Sequence, residues 1–297
     1  MTKRITSLFA LTTLVLAVSG SAFAADIAVK APPLAPAPVY SWTGFYVGGN
    51  LGASFGHVKT DFNAAPVTVT TSGGTFTTPG FGASDTVYPS GFMGGGQIGY
   101  NWQFSPIWVA GLEADFQGAD EKDSATLTNS FNFSAPLGGT SFPVTGAAVT
   151  NYSAQIDWFG TVRLRAGYVW GNGNVFSYVT GGLAYGEVKT NGTSIVSGSV
   201  GVPVTSANSF SIAHAIGHSN VNTGWTVGYG TEARIDFWGL RNWTWKVEAL
   251  YIDLGTLDDS DVAIPPPHVA SVTGGQVTTH THFTDGILRA GLNYQFH

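Results

Sequence analysis

Stretches of about ten residues that place charge on one parity and large apolar groups on the other constrain this chain most. In 107–118, Trp108, Ala110, Leu112, Ala114 and Phe116 alternate with Glu113, Asp115 and Gln117. In 154–170, Trp158, Val162, Leu164, Ala166 and Tyr168 oppose Arg163 and Arg165. Val227, Tyr229, Ala233 and Ile235 oppose Glu232, Arg234 and Asp236, and Lys246 and Glu248 share one parity of the next segment. Near the end, Leu288, Ala290, Leu292, Tyr294 and Phe296 oppose Asp285, Arg289, Asn293 and Gln295. Period 2 is the signature of a strand between two environments. Arg or Lys on a lipid-facing barrel surface costs about 2–4 kcal/mol at mid-membrane, so a face cleared of charge is a face fit for lipid.

Eight such segments can be read: 44–55, 91–104, 107–118, 154–170, 174–188, 223–238, 243–254 and 282–296. In 174–188 the two faces are ambiguous. Ser105-Pro106, Gly171-Asn172-Gly173 and 239–242 make tight turns of the Gly, Asn and Pro kind. The alternate connections, 57–90, 119–153, 189–222 and 255–281, run to roughly 25–35 residues and are expected to be loops. The expectation is an all-β fold: an eight-stranded antiparallel transmembrane β-barrel with short periplasmic turns and long extracellular loops.

The N-terminus agrees. Lys3 and Arg4 precede the apolar run Leu8 to Val18, and Ala22-Phe23-Ala24 offers small residues for cleavage. That run is shorter than the roughly 20 residues a membrane helix needs, so residues 1–24 read as a removable export signal. Residues 25–43, with Pro32, Pro33, Pro36 and Pro38, read as a mobile periplasmic tail, and 44–297 as the barrel. With Gly at 40 residues, charged residues at 10 % and aromatics at 13 %, the composition departs from a soluble domain in the direction of a barrel with aromatic girdles. Trp42, Phe45, Trp102, Phe104, Trp108, Trp158, Trp170, Trp225, Trp238, Trp243 and Trp245 collect near strand ends, where headgroups would lie. Acidic residues (18) exceed basic ones (12), which argues against nucleic acid as a partner, and the absence of cysteine leaves no disulfide to support the fold.

The inward set is Glu113, Asp115, Glu232, Asp236, Glu248 and Asp285 against Arg163, Arg165, Arg234, Lys246 and Arg289. An eight-stranded barrel is just wide enough for side chains to fill, so the expected arrangement is a paired charge network that closes the lumen. The alternative is the lining of a narrow pore. Most histidines fall in or beside the expected loops, at His57, His214, His218, His268, His280 and His282. The pairs His214/His218 and His280/His282 are the candidates for holding haem or a metal, although loop histidines are more often plain surface residues. Gly94-Gly95-Gly96-Gln97-Ile98-Gly99 fits a dinucleotide fingerprint but lies inside a strand pattern, so no cofactor is expected. Asp85, His218 and Ser219 supply triad residue types without any fixed geometry, and no catalytic set is expected.

The stretches ADIAVKAPPLAPAPVYSWTGFYVGGNLG, WFGTVRLRAGYVW, YVTGGLAYGEVK, GWTVGYGTEARI, WKVEALYIDLG and ILRAGLNYQF resemble, in order, the alphaproteobacterial Omp25/RopB family of small outer-membrane proteins, and more distantly the membrane barrel of OmpA. The resemblance implies an abundant, surface-exposed and immunogenic outer-membrane barrel that contributes to envelope integrity. Some members are described as porin-like or haem-binding, and none of the residues is implied to be catalytic. Its partners would be outer-membrane lipid, lipopolysaccharide and, during insertion, the barrel-assembly machinery. Such chains end in an aromatic assembly signal; here Phe296 is followed by His297.

Overall fold

The computed structural model describes residues 40–296 apart from 72–73, 138, 202–208, 237–239 and 263–270. The expected signal, the tail up to residue 39, Trp238, His268 and His297 lie outside the described residues. The strands are β1 (Gly44–Ala64), β2 (Val67–Thr71), β3 (Gly74–Thr77), β4 (Phe81–Val87), β5 (Ser90–Gln103), β6 (Trp108–Leu137), β7 (Thr140–Trp170), β8 (Val175–Val200), β9 (Ser209–Arg234), β10 (Trp243–Val262), β11 (Ser271–Gly274) and β12 (Gln276–Gln295).

Eight of them close a ring, β1-β5-β6-β7-β8-β9-β10-β12, with β12 pairing back onto β1 from Tyr46/Gln295 to Ala64/Val277. Every neighbour in the ring is antiparallel. β4 extends the β5 side of β1, and β11, β2 and β3 form a small separate sheet. The turn between β7 and β8 places Gly171, Asn172 and Gly173 at φ of 60°, 59° and 89°, the left-handed region that Gly and Asn occupy most readily.

From the periplasmic turns up to an outer belt of aromatics the wall is inside-out relative to a soluble protein. Leu51 is 75 % exposed, Phe92 84 % and Leu164 68 %, while Glu113, Arg163, Lys246 and Glu248 are fully buried. Large contiguous apolar surface of this kind requires an apolar neighbour, here lipid. From Trp108 to Phe116 the outward face of β6 is apolar, the length a tilted strand needs to cross. β8, whose faces were ambiguous, turns Val179 and Leu183 outward and Phe176, Tyr178 and Thr180 inward.

Among the described residues, much of the expected long loops instead continues the strands. β6 and β7 run together to the pair Leu137/Thr140, and β8 and β9 to Ser199/Ser209. The sequence hid them because the pattern inverts above an outer belt of Phe55, Phe92, Phe116, Trp158, Trp225 and Tyr251. There Ser124, Thr126, Asn151, Asn191 and Thr193 face water, while Val58, Phe62, Tyr152, Ile156, Val188, Leu257 and Phe283 form a buried apolar cluster. Register shifts at Gly118/Glu121, Ile156/Trp158 and Asp253/Gly255 mark the change. In β7 the inward positions are Phe159, Thr161, Arg163 and Arg165 on one side of the bulge and Tyr152, Ala154 and Ile156 on the other. One extra residue flips the parity, so a period-2 reading breaks at that point.

Candidate functional site: the barrel lumen

Three layers fill the lumen. The first, at the periplasmic mouth, comes from residues expected to belong to the mobile tail. Trp42 is fully buried against Val109, Val169, Phe176 and Tyr178. Its indole N–H donates to the Gly173 carbonyl at 3.0 Å, its backbone N–H donates to Gln103 at 2.9 Å, and its carbonyl accepts from Gln295 at 2.8 Å. Tyr40 bonds Gln295 and lies under the Arg234 guanidinium, 4.0 Å from the ring centre. Residues 40–43 therefore form the floor of the barrel, because a tryptophan anchored through its indole N–H and both its backbone groups fills the mouth better than water does.

The second layer is ionic. Glu113 accepts from Arg163, from Arg165 at 3.1 Å, from Lys246 at 3.0 Å, from Arg289 at 3.5 Å and from the Tyr46 hydroxyl at 2.8 Å. Glu248 binds Arg289 at 2.7 Å, Lys246 at 3.1 Å and Arg163 at 3.4 Å. Asp115 bridges Arg163 and Arg289, each at 2.9 Å, and Glu232 takes Arg165 at 2.7 Å. Arg165 also stacks on Tyr178, 3.9 Å from its centroid. Four carboxylates thus meet four bases. Desolvating eight charges is tolerable only because each one is surrounded by opposite charge and hydrogen bonds.

Glycines on the β1 and β5 wall make room for these long side chains. A Cβ at Gly48 would lie 2.1 Å from Asn293 Oδ1, at Gly52 2.7 Å from Arg289 Cβ, and at Gly99 2.3 Å from the Tyr46 hydroxyl. The glycine-rich run that mimics a dinucleotide fingerprint contributes to this wall.

Three members of the expected network stand elsewhere. Arg234 pairs with Asp236 at 3.0 Å at the rim, where the chain has left the ladder and Asp236 is exposed. Asp285 lies above the ionic layer beside Glu121, where its Oδ1 accepts from the Phe55 N–H at 3.0 Å. Neither Asp285 nor Glu121 forms an ion pair with Lys or Arg among the described residues. Glu121 falls in the expected connection 119–153 because it lies past the β6 bulge, where the period-2 pattern breaks. Tyr46, Asn50, Gln97, Tyr178 and Trp42 were also missed; their inward parity was the available signal, but uncharged residues do not stand out by parity. The third layer is the apolar cluster above the belt.

His280 and His282 share the outward face of β12, and each meets its own aspartate of β10. His280 Nδ1 is 2.6 Å from Asp258, His282 Nε2 is 3.0 Å from Asp253, and His218 Nδ1 is 3.9 Å from Asp259. His214 is four residues from His218 on an extended strand, about 13 Å along it, too far to share one ion. Nothing is described of its side chain. Ser219 donates to Glu187, away from His218, so Asp85, His218 and Ser219 form no triad. Among the described residues no group of three His, Asp or Glu is arranged to hold a metal. Phe296 lies just past β12, half exposed, its N–H donating to the Phe45 carbonyl at 2.8 Å.

A closed antiparallel ring with an apolar exterior and an ionic interior defines an integral outer-membrane β-barrel protein. The chain belongs to the outer membrane protein beta-barrel domain family, whose model matches residues 10–296. It is 35 % identical over 279 residues to the 31 kDa outer-membrane immunogenic protein of Brucella melitensis, covering 93 % of this chain and 94 % of that one. It is 29 % identical to a 22 kDa outer membrane protein of Rhizobium leguminosarum, covering 74 % and 68 % of the two chains. Among solved structures it is similar to the Yersinia pestis attachment invasion locus protein Ail (TM-score 0.26, 15 % identity, 83 % of this chain and 99 % of that one). It is also similar to the Escherichia coli outer membrane protease OmpT (TM-score 0.34, 13 % identity, 84 % and 97 %).

Proposed function

We propose that this protein is a closed, non-enzymatic structural barrel that contributes to envelope integrity and presents its outer strands at the cell surface. The observation that carries this reading is the triple filling of the lumen: an indole floor, a neutral four-by-four ionic layer and an apolar cap. The lipid-facing apolar band supports outer-membrane lipid and lipopolysaccharide as its surroundings. The outward aromatic Phe296 beside the last strand supports delivery through the barrel-assembly machinery. The separate histidine–aspartate pairs favour neither a haem nor a metal site.

Single-channel recording of the refolded protein in a planar bilayer tests the reading. Silence from protein that migrates differently with and without boiling is the expected result, since a closed ladder has no free edge from which to unzip within the membrane. Steady, reproducible openings would overturn closure and make the ionic layer the lining of a narrow pore.

A further inference from the structure

Above the outer belt the wall splits. β9 and β10 last pair at Trp225/Asp253, next to the Leu254 bulge and Gly255 at φ 74°. Beyond it, among the described residues, Ser209–Gly224 pairs with β8 alone and Gly255–Val262 with β12 alone. The other seam, between β4 and β6, is bridged: the N–H of Tyr88, just past β4, donates to Asp123 of β6 at 2.9 Å. The β9/β10 seam is crossed by the longer contact of His218 with Asp259, at 3.9 Å.

The direction of the unpaired groups follows from the ladder. The Arg234 N–H donates to the Asn174 carbonyl on the β8 side, and the Ile235 N–H donates to the Trp243 carbonyl on the β10 side. Amides alternate sides along an antiparallel strand, and the β8/β9 register has no shift. The N–H groups of Ala213, Ala215, Gly217, Ser219 and Val221 therefore aim into the seam. Ser209–Gly224 contains no Lys, Arg, Asp, Glu or Pro, so it lacks the usual devices that protect an edge. Across the seam, Leu254–Val262 carries Asp258, Asp259 and Asp261 and no base.

We propose that this seam captures an extended basic segment of another protein, which adds as a strand to the free edge of β9 and places its Lys or Arg side chains against Asp258 and Asp259. The backbone edge supplies register-tolerant affinity, and the acidic strand supplies the preference for positive charge. An acidic segment gains the same backbone bonds but meets like charge.

The test is fluorescence anisotropy of a labelled eight-residue peptide, Lys-Lys-Val-Val repeated so that Lys lies on both faces, titrated with the refolded full chain in zwitterionic detergent, beside a Glu/Val counterpart. Saturable binding of the Lys/Val peptide alone is expected. Ala215→Pro removes one seam amide without touching the β8 ladder and should weaken binding about fivefold, the loss of one backbone hydrogen bond. The Asp258→Asn/Asp259→Asn pair should weaken it similarly and flatten its salt dependence. Should Ala215→Pro fail to fold, Gly217→Pro, which removes the next seam amide, replaces it, with the same weakening expected. The proposal is overturned by absent or unsaturable binding, or by binding that ignores the seam proline in folded protein. Binding that appears only once residues 263–270 are deleted would also overturn it, because the chain's own segment would then be the occupant.

Discussion

Replacing Glu113 by Gln probes the ionic layer with almost no change in volume. The carboxylate touches four cations and one phenol, within a cluster that balances Glu113, Asp115, Glu232 and Glu248 against Arg163, Arg165, Lys246 and Arg289. Gln still accepts a hydrogen bond, but its amide group points donors at guanidinium groups that are already donors. The layer is left with one net positive charge in a dry interior. Individual charge-assisted bonds cannot simply be summed, because the same desolvation would be counted repeatedly. Breaking a buried ion pair by removing one partner costs about 3–5 kcal/mol, and that is the expected loss. Equilibrium urea unfolding in lipid vesicles, followed by tryptophan emission, measures it. Adding Lys246→Met restores neutrality and should recover a substantial share, giving a coupling energy of about 1–3 kcal/mol in a double-mutant cycle. A loss below about 1 kcal/mol for Glu113→Gln, with no coupling to Lys246→Met, would refute the claim that mutual neutralisation holds this layer.

Other perturbations follow from the same geometry. Trp42→Ala should cost about 3–5 kcal/mol in the urea assay while ion flux into vesicles stays at baseline, because two layers remain above the floor. Gly99→Val drives a side chain into the Tyr46 hydroxyl and should cost about 1–3 kcal/mol, with slower appearance of the heat-modifiable form. On the outer face, hydrogen bonds from Ser84 and then Lys59 hold the Asp61 carboxyl below its ordinary value of 3.8. Its contribution to stability is therefore present above that value and fades as pH falls through the lower folded one. Ser84→Ala should move the Asp61 titration upward, read by carboxyl carbon NMR.

Within the membrane band the sequence alone determined a great deal. Confinement of charge to one parity in 107–118 and 282–296 fixed which face meets lipid, since a misplaced Arg or Lys has no partner there. The turn chemistry at Gly171-Asn172-Gly173 fixed one rim. Glu113, Asp115, Arg163, Arg165, Glu232, Lys246, Glu248 and Arg289 were legible as inward residues because strand geometry is local. Tertiary structure decided what locality cannot encode. Which carboxylate meets which base depends on positions up to 176 residues apart being brought across one lumen. Arg234 and Asp236 share the inward parity of Glu232, but the ladder ends between them and sends them to the rim. The outer strands read as loops because bulges shift their period and water, not lipid, faces their outer side, which reverses the hydrophobic code. Tyr40 and Trp42 read as tail because nothing in a proline-rich segment announces the mouth it will fill. Parity belongs to the single strand, whereas pairing, plugging and the open seam belong to the closed wall.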